Sequence, residues 1–443
     1  MPVYRAIKHD LNHICKILLL KYIPDHNPNN SLYISSILMK KPIVEISYKN
    51  EAIQFEATGT SFEAYRYIKS YLNQLNQYKK IGFNNNSPVY SLYQPPPASK
   101  AGERSLINKI IRKFSGRRIP ATATIAINKA CQCNCSHCSA VYYNHGTKPD
   151  LTTKQLITAI QESCHLGVTT IILLGGEPLL RKDLVSIIES IPKDQAHVIL
   201  FTNGEYLTHK TCKRLKDAGL LGAFVSIDAT DPNQHDSFRK RPGLFEKAVN
   251  GIKNMNETGL ISGISSHLSH SNLQNNHFEK ILELGKKSSV KEITFFDAIP
   301  SGQWLHETSE LLTTEDRQKI HNLTKSYRLN PEYPGLSVQS TMTCETGSAF
   351  CFAANTQFYL TAWGEMCPCD FTPLSFGQFP QFSIKELWNR MTTSEPYNQR
   401  AKSCRMQDRR FRERIISQIP HEGPYPYPHK NLVMSNNLDK FII

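Results

Sequence analysis

No apolar run in this sequence approaches the roughly 20 residues that a bilayer-spanning helix needs. The longest near the start, Ile14 to Leu20, is short and broken by Cys15 and Lys16. With no small-residue cleavage site after it, it is expected to be an amphipathic helix and not a signal peptide. Acidic charge is also scarce: 38 Asp and Glu stand against 52 Lys and Arg, a formal net charge of +14. That balance argues against a basic partner and favours an anionic one such as an acidic peptide, RNA or a membrane surface. The basic residues are densest at Lys109 to Arg118 and at Arg400 to Arg414. No aromatic-basic recognition motif accompanies them, which makes nucleic acid the less expected partner. There is no internal repeat, which leaves out stacked-repeat architectures.

An even spread of cysteine is missing too. Most of the 12 cysteines fall in Cys131 to Cys138 and in Cys344 to Cys404. Such clumping speaks against a secreted disulfide framework and for reduced thiols that hold metal in the cytoplasm. Cys15, Cys164 and Cys212 stand alone in helix-like segments and read as buried filler.

At 443 residues and 40% hydrophobic content, the chain is long enough for two or three domains with a real core. Residues 1–100 read as a small α+β hairpin-helix domain with its linker. Ile43 to Tyr48 and Ala52 to Glu56 are strand-like runs joined at Lys49-Asn50. A helix capped by Thr60 with Glu63 follows, carrying Phe62, Tyr65, Ile68, Tyr71 and Leu72 at helical spacing down to about Tyr78. Asn84-Asn85-Asn86-Ser87-Pro88 and Pro95-Pro96-Pro97 mark a linker, and Ser105 to Phe114 a basic helix.

From Thr122 onward short apolar strands alternate with amphipathic helices, the pattern of parallel α/β architecture. Strands are expected at Thr122 to Asn128, Thr169 to Leu174, His197 to Phe201, Ala223 to Ile227, Ile261 to Leu268 and Glu292 to Ala298, with a helix at Leu151 to His165 capped by Thr152 and Gln155. Polar, Gly-rich residues close each strand, as on the active face of an α/β barrel. Six units instead of eight would leave the barrel open on one side, wide enough for a large substrate. A doubly wound sheet accounts for the alternation equally well.

Directly after the first strand come Cys131-Gln132-Cys133-Asn134-Cys135-Ser136-His137-Cys138. Thiolates packed this densely repel each other, so the loop makes sense when a metal collects their charge. Cys131, Cys135 and Cys138 follow a Cys-x3-Cys-x2-Cys spacing that leaves one iron of a four-iron cube open. With Cys133 and His137 in the same loop, a four-ligand zinc knuckle can be drawn from it as well. One βα unit later stands Gly175-Gly176-Glu177-Pro178, where two glycines let a ligand approach a strand end closely and a carboxylate is at hand for an ammonium.

Together the two motifs resemble those of the radical S-adenosylmethionine (radical SAM) enzymes. The resemblance implies a partial (βα)6 TIM-like barrel over residues 118–310 and a 4Fe-4S cluster on Cys131, Cys135 and Cys138. It also implies that SAM is bound at the open iron and held by Gly175, Gly176 and Glu177. Asn203, Ser226 and Asp228 resemble positions that line the nucleoside pocket. His235-Asp236-x-x-Arg239 resembles a His-Asp-x-x-Arg segment whose Arg239 suits a carboxylate, with Lys240 where the family often has Gly. Ser265, Asn272 and Ile299-Pro300-Ser301-Gly302 are similar to residues that frame the adenine. His137 stands where the family has Tyr or Phe, and Cys133 has no role in the pattern. The implied catalytic residue that finishes the radical is not identified.

Residues 311–443 open with a helix near Thr313-Thr314-Glu315 that ends around Tyr327. The stretch from Cys351 through Phe358-Tyr359-Leu360, Gly364, Cys369, Gly377 and Ile384 to Trp388 resembles the SPASM/Twitch extension of radical SAM enzymes. In that extension Cys351 precedes a hairpin, Gly364 makes its turn and Cys369 closes it. The full extension uses seven cysteines for two clusters and this region has five; the resemblance therefore implies one auxiliary cluster. Its ligands would be Cys351, Cys369 and Cys404, with Cys367 or Cys344 as a fourth; Cys-Pro-Cys is also a zinc half-site. Pro424 to Pro428 reads as an extended strap.

The implied activity is reductive cleavage of SAM with electrons from an external donor such as flavodoxin or ferredoxin, and hydrogen abstraction from a substrate. A ribosomally made peptide or protein is expected as that substrate, held in part by the N-terminal domain. The alternatives are a small molecule (a cofactor, sugar or lipid precursor) and, from another class, a zinc-dependent nucleic-acid-binding protein.

Overall fold

The computed structural model describes residues 44–58, 60, 62–141, 148–344 and 350–434, without the side chains of 342–344. The Ile14 to Leu20 run and the side chain of Cys344 lie outside them. No helix among the described residues is long and apolar enough to cross a membrane.

At the start, β1 (Val44–Lys49) and β2 (Ala52–Ala57) pair antiparallel. Their turn is Asn50-Glu51, both at positive φ, one residue later than the sequence suggested. Helix α1 (Phe62–Gln77) lays Ala64, Ile68, Leu72 and Leu75 against α2 (Lys100–Ser115), which starts at the Ser99 cap and stops at Gly116.

The stretch read as a linker is a plug. It forms a short hairpin of β3 (Gly82–Asn84) and β4 (Ser87–Val89), and then Ser91 to Tyr93 enter the bottom of the barrel. Leu92 is wholly buried beside Ile172, Ile199 and Phe224. Its N–H donates to Glu292 Oε2 (2.7 Å), while Ser91 and Ser337 donate to Oε1 (2.7 and 2.6 Å). His197 Nε2 meets Leu92 O at 2.8 Å, and the Tyr93 ring stacks on Phe224 at 5.2 Å. A buried carboxyl is tolerated there because hydrogen bonds surround it.

The main sheet has nine strands. β5 (Thr122–Ala126), β6 (Thr170–Leu174), β7 (His197–Thr202), β8 (Gly222–Ser226), β9 (Ile261–Leu268), β10 (Glu292–Asp297) and β11 (Gly335–Val338) are parallel neighbours in chain order. No reversal of order occurs, so the sheet winds one way, as in a barrel, and the doubly wound alternative falls. The six strands read from sequence are all present. β11 escaped notice because Gly335-Leu336-Ser337-Val338 is short and half polar.

The sheet continues past β5 with β12 (Gln357–Leu360), parallel to it, and then β13 (Met366–Cys367), antiparallel to β12. Gly364 makes the hairpin turn at φ +94°. The cysteine-rich C-terminal region is thus stitched into the barrel sheet, and Phe358, Trp388 and Phe411 share one core with Ile125, Leu173 and Val198. The proline-rich tail runs as an extended strap at Tyr427–Pro428, paired with Leu374–Ser375.

Candidate functional site

The cysteine loop leaves β5 and is bonded at once to the end of β6. Gly176 N–H donates to Asn128 O (2.9 Å), Glu177 N–H to Ala130 O (2.7 Å), and the Asn128 amide returns to Glu177 O (2.8 Å). A Cβ on Gly175 would strike Asn128, and one on Gly176 would strike the carbonyls of Lys129 and Ala130. These glycines therefore serve the approach of the loop itself, where the sequence suggested the approach of a ligand. Further on, Gln132 Nε2 donates to Asn203 Oδ1 (3.3 Å) and Glu205 Oε2 (2.7 Å). Asn134 and Ser136 N–H donate to Arg239 O (3.3 Å) and Phe238 O (2.9 Å), and Gln303 N–H to Cys138 O (3.1 Å). The segments that follow four other strands thus clamp the loop that carries half-buried, free Cys131, Cys133, Cys135 and Cys138.

Cys133 stands between its neighbours and hydrogen-bonds both Cys131 and Cys135, so its own thiol is pushed strongly up while Cys135 is drawn down to about 7. The Asn203 amide lies 3.6 Å from Cys133 Sγ.

Glu177 is 1% exposed. Its carboxylate accepts from the Thr202 hydroxyl (2.7 Å), Asn203 N–H (2.8 Å) and Leu179 N–H (3.1 Å). Burial pushes its pKa up against those three bonds. Three of the carboxylate's lone-pair directions are thus taken by the fold. Arg239 is held beside this carboxylate: its Nε donates to Asp228 Oδ2 at 2.6 Å. Burial raises the Asp228 carboxyl, but the Arg239 guanidinium outweighs it and holds it well below the usual range. Ser226, half-buried at the end of β8, has no hydrogen-bond partner for its hydroxyl among the described residues.

His137 turns inward, away from the thiols. It stacks on Phe238 (4.5 Å, 18°) and His267 (5.2 Å, 22°), with Trp304 at 6.0 Å. Burial pulls its pKa down to about 3, so it is a neutral aromatic plate 3.6 Å from Asp228. The imidazole packs as an aromatic ring would. His137, Asp228 and His267 offer ligand atoms within 4.8 Å of one another.

At the second cysteine site, Cys351 and Cys404 hydrogen-bond, which draws Cys351 down to about 6. Cys369 lies near both and meets Thr372 Oγ1 at 3.2 Å. Cys367 is set apart. Fully buried on β13, it packs with Ala126, Tyr359, Ala362 and Trp363 in a separate apolar cluster, and burial pushes its thiol far up. The end of the strand explains this: β13 stops at Cys367, and the chain leaves it at Pro368 before reaching Cys369.

Sequence reasoning missed Asp370. Half-buried and with no cationic partner among the described residues, its carboxyl is raised to about 6 by burial. Its charge is felt by Tyr93 and Tyr359, which also senses Cys138, while Phe371 beside it touches Phe296 on the barrel's inner face (6.0 Å). Asp370 thus faces the space between the two cysteine sites. An acid placed directly after a cysteine in Cys-Pro-Cys-Asp was the available signal.

Comparison with known proteins agrees with this geometry. Residues 125–285 match the radical SAM superfamily, and residues 351–413 match the SPASM iron-sulfur cluster-binding domain. The chain is 26% identical over 290 residues to an AdoMet-dependent heme synthase of Methanosarcina barkeri, covering 59% of this chain and 80% of that one. It is 28% identical over 306 residues to a probable GTP 3′,8-cyclase of Methanosarcina acetivorans, covering 65% and 85%. Among solved structures, SuiB of Streptococcus suis bound to precursor peptide SuiA superposes with a TM-score of 0.53 at 10% identity, covering 80% and 88%. A histidine-tagged anSMEcpe with bound AdoMet superposes at 0.50 and 19% identity, covering 65% and 84%. These likenesses are of fold.

The chain belongs to the radical SAM superfamily and is an enzyme of that class. Within it, this protein carries a SPASM-type C-terminal domain, and its cofactors are a 4Fe-4S cluster with SAM and an auxiliary iron-sulfur cluster. The residues fit these groups: three free thiols on a clamped loop at the strand ends, and a second set of free thiols of which Cys351 and Cys404 already touch. The zinc-dependent nucleic-acid-binding alternative falls with the family match.

Proposed function

We propose that the protein cleaves SAM reductively and uses the resulting radical to oxidise a substrate held between Cys131/Cys135/Cys138 and Cys351/Cys369/Cys404. When bound, the cluster and SAM supply one-electron cleavage of the sulfonium and a carbon radical that takes hydrogen from the substrate. The observation that supports this most is the mutual clamping of the cysteine loop with the ends of β6 and β7. Gly175 and Gly176 seat that loop, and Glu177 braces Thr202 and Asn203 behind it. Ser226 offers a free hydroxyl for a ribose. His137, Phe238, His267 and Trp304 form an aromatic wall that keeps water from the reacting centre. A carboxylate Oδ of Asp370 would take the proton that the substrate radical loses, and an auxiliary cluster held by Cys351, Cys369 and Cys404 would accept the electron that leaves with it.

A peptide or protein is the first substrate reading, supported by the net charge of +14 and by the N-terminal hairpin-helix unit beside the barrel. Fold likeness to SuiB with its precursor peptide accords with it. A small molecule is the second, favoured by the heme synthase and GTP cyclase relatives. The test is anaerobic reconstitution with iron, sulfide, SAM and dithionite. Formation of 5′-deoxyadenosine supports the reading, and its absence from iron-loaded protein ends it. Mass spectrometry of peptide pools against metabolite extracts then separates the substrate classes.

A further inference from the structure

The two most basic stretches of the sequence meet on one surface. Arg400 Nη2 donates to Gly116 O at 3.1 Å, and Arg118 donates to Tyr397 O and to Asn398 O (2.8 Å). Arg112 donates to Ile119 O at 3.0 Å, and Arg405 to Pro396 O and Gln399 O at 2.8 and 2.7 Å. Every one of these side-chain bonds ends on a backbone carbonyl. Among the described residues Arg112, Lys113, Arg117, Arg118, Arg400, Lys402 and Arg405 form no ion pair. Elsewhere the chain does pair its cations, as Arg241 and Lys247 with Glu205 and Arg317 with Asp297 show. Carbonyl dipoles hold these guanidiniums in place without cancelling their charge, and the mutual repulsion is a standing cost that an anionic partner would relieve.

The position of the patch points to the partner. Lys402 is exposed two residues before Cys404, and Cys351 N–H donates to Ala401 O (2.6 Å). The Arg400 guanidinium lies 5.6 Å from the ring of Phe350, next to Cys351. Arg405 is buried between Tyr397 and Phe411 close to the Cys351 thiol. The basic surface is therefore the skin over the second cysteine site, at the end of the barrel opposite the Cys131 to Cys138 loop: Gly116 to Ile119 lead into the start of β5, and the loop leaves its end.

Resting on the proposed function, we infer that this surface is the docking face for an acidic one-electron carrier protein, which meets the enzyme on the side of Cys351 and Cys404. Reductive SAM cleavage consumes one electron per event, and the reduced carrier supplies it and leaves oxidised by one electron. Long-range attraction between a basic patch and an acidic carrier speeds encounter and fixes orientation.

The test uses the full chain, a purified flavodoxin as probe, and the double variant Arg117→Glu/Arg400→Glu, whose side chains touch neither cysteine site. Flavodoxin affinity is measured by titration in low and in moderate salt, on protein with and without iron. The expected result is a loss of about tenfold or more in low salt, with a weaker salt dependence than in the parent chain. 5′-Deoxyadenosine formation should fall with reduced flavodoxin and stay unchanged with dithionite. Equal flavodoxin affinity in parent and variant overturns the inference, as does a patch that binds single-stranded RNA and no flavodoxin. Should the charge reversal unfold the chain, Arg117→Gln/Arg400→Gln is read in the same way. Failure of the parent enzyme to cleave SAM with dithionite would sink the proposed function, and the iron-free binding measurement tells the two failures apart.

Discussion

The carboxylate of Glu177 accepts the backbone N–H of Asn203 at 2.8 Å and so ties the end of β6 to the end of β7. Two loops that must agree in position are held by one buried group. Glu177→Ala leaves the Thr202 hydroxyl and the N–H groups of Asn203 and Leu179 unpaired, which should cost about 1–3 kcal/mol. Chemical denaturation of the iron-free chain measures this. A loss of SAM affinity without loss of stability would show instead that the carboxylate meets the ligand.

Cys135→Ala should abolish 5′-deoxyadenosine formation while iron bound at Cys351, Cys369 and Cys404 remains. Iron analysis of the variant beside the parent, together with chromatography of the products, checks both halves.

Two of the C-terminal cysteines should separate. Cys351→Ser is expected to lose the auxiliary iron, since its thiol touches Cys404. Cys367→Ser is expected to keep it, because Cys367 lies among Ala126, Tyr359 and Trp363. Absorbance of the reconstituted variants and their iron content decide; loss of the auxiliary iron in Cys367→Ser would make that residue a ligand.

Asp370 gives a pH signature. Its carboxyl is raised from the usual 3.8 to about 6, so the folded state favours the protonated form. Its contribution to stability is fully present below pH 3.8 and is lost as pH rises to about 6. Activity runs the other way, because the proton acceptor must be ionised: turnover should climb as pH passes about 6. Asp370→Asn should flatten that rise and stop product formation while SAM cleavage continues, as a pH–rate profile with product analysis would show.

His137→Phe should keep stability within about 1 kcal/mol of the parent, because Nδ1 is buried without a partner and the stack with Phe238 and His267 is apolar in character. His137→Ala opens a void in that stack and should cost about 3–5 kcal/mol. Urea unfolding of the two variants measures the contrast.

The sequence made the barrel legible because each strand is a short β-branched run closed by a polar end, as in Thr170–Leu174 before Gly175. The thiols were legible because ligand spacing is local. Committed side chains were not: nothing near Glu177 in sequence announces that Thr202 and Asn203 will occupy it, and nothing near Arg239 announces Asp228 as its partner. Cys367 and Cys369 look equivalent in Cys-Pro-Cys, and only the end of β13 at Cys367 separates them. The proline- and asparagine-rich stretch after α1 carried every mark of a connector, yet Leu92 reaches Glu292 across the whole barrel domain's sequence.

With Leu92 and Tyr93 corking one end of the barrel, that end is closed to traffic, and reactant and product must both come and go elsewhere.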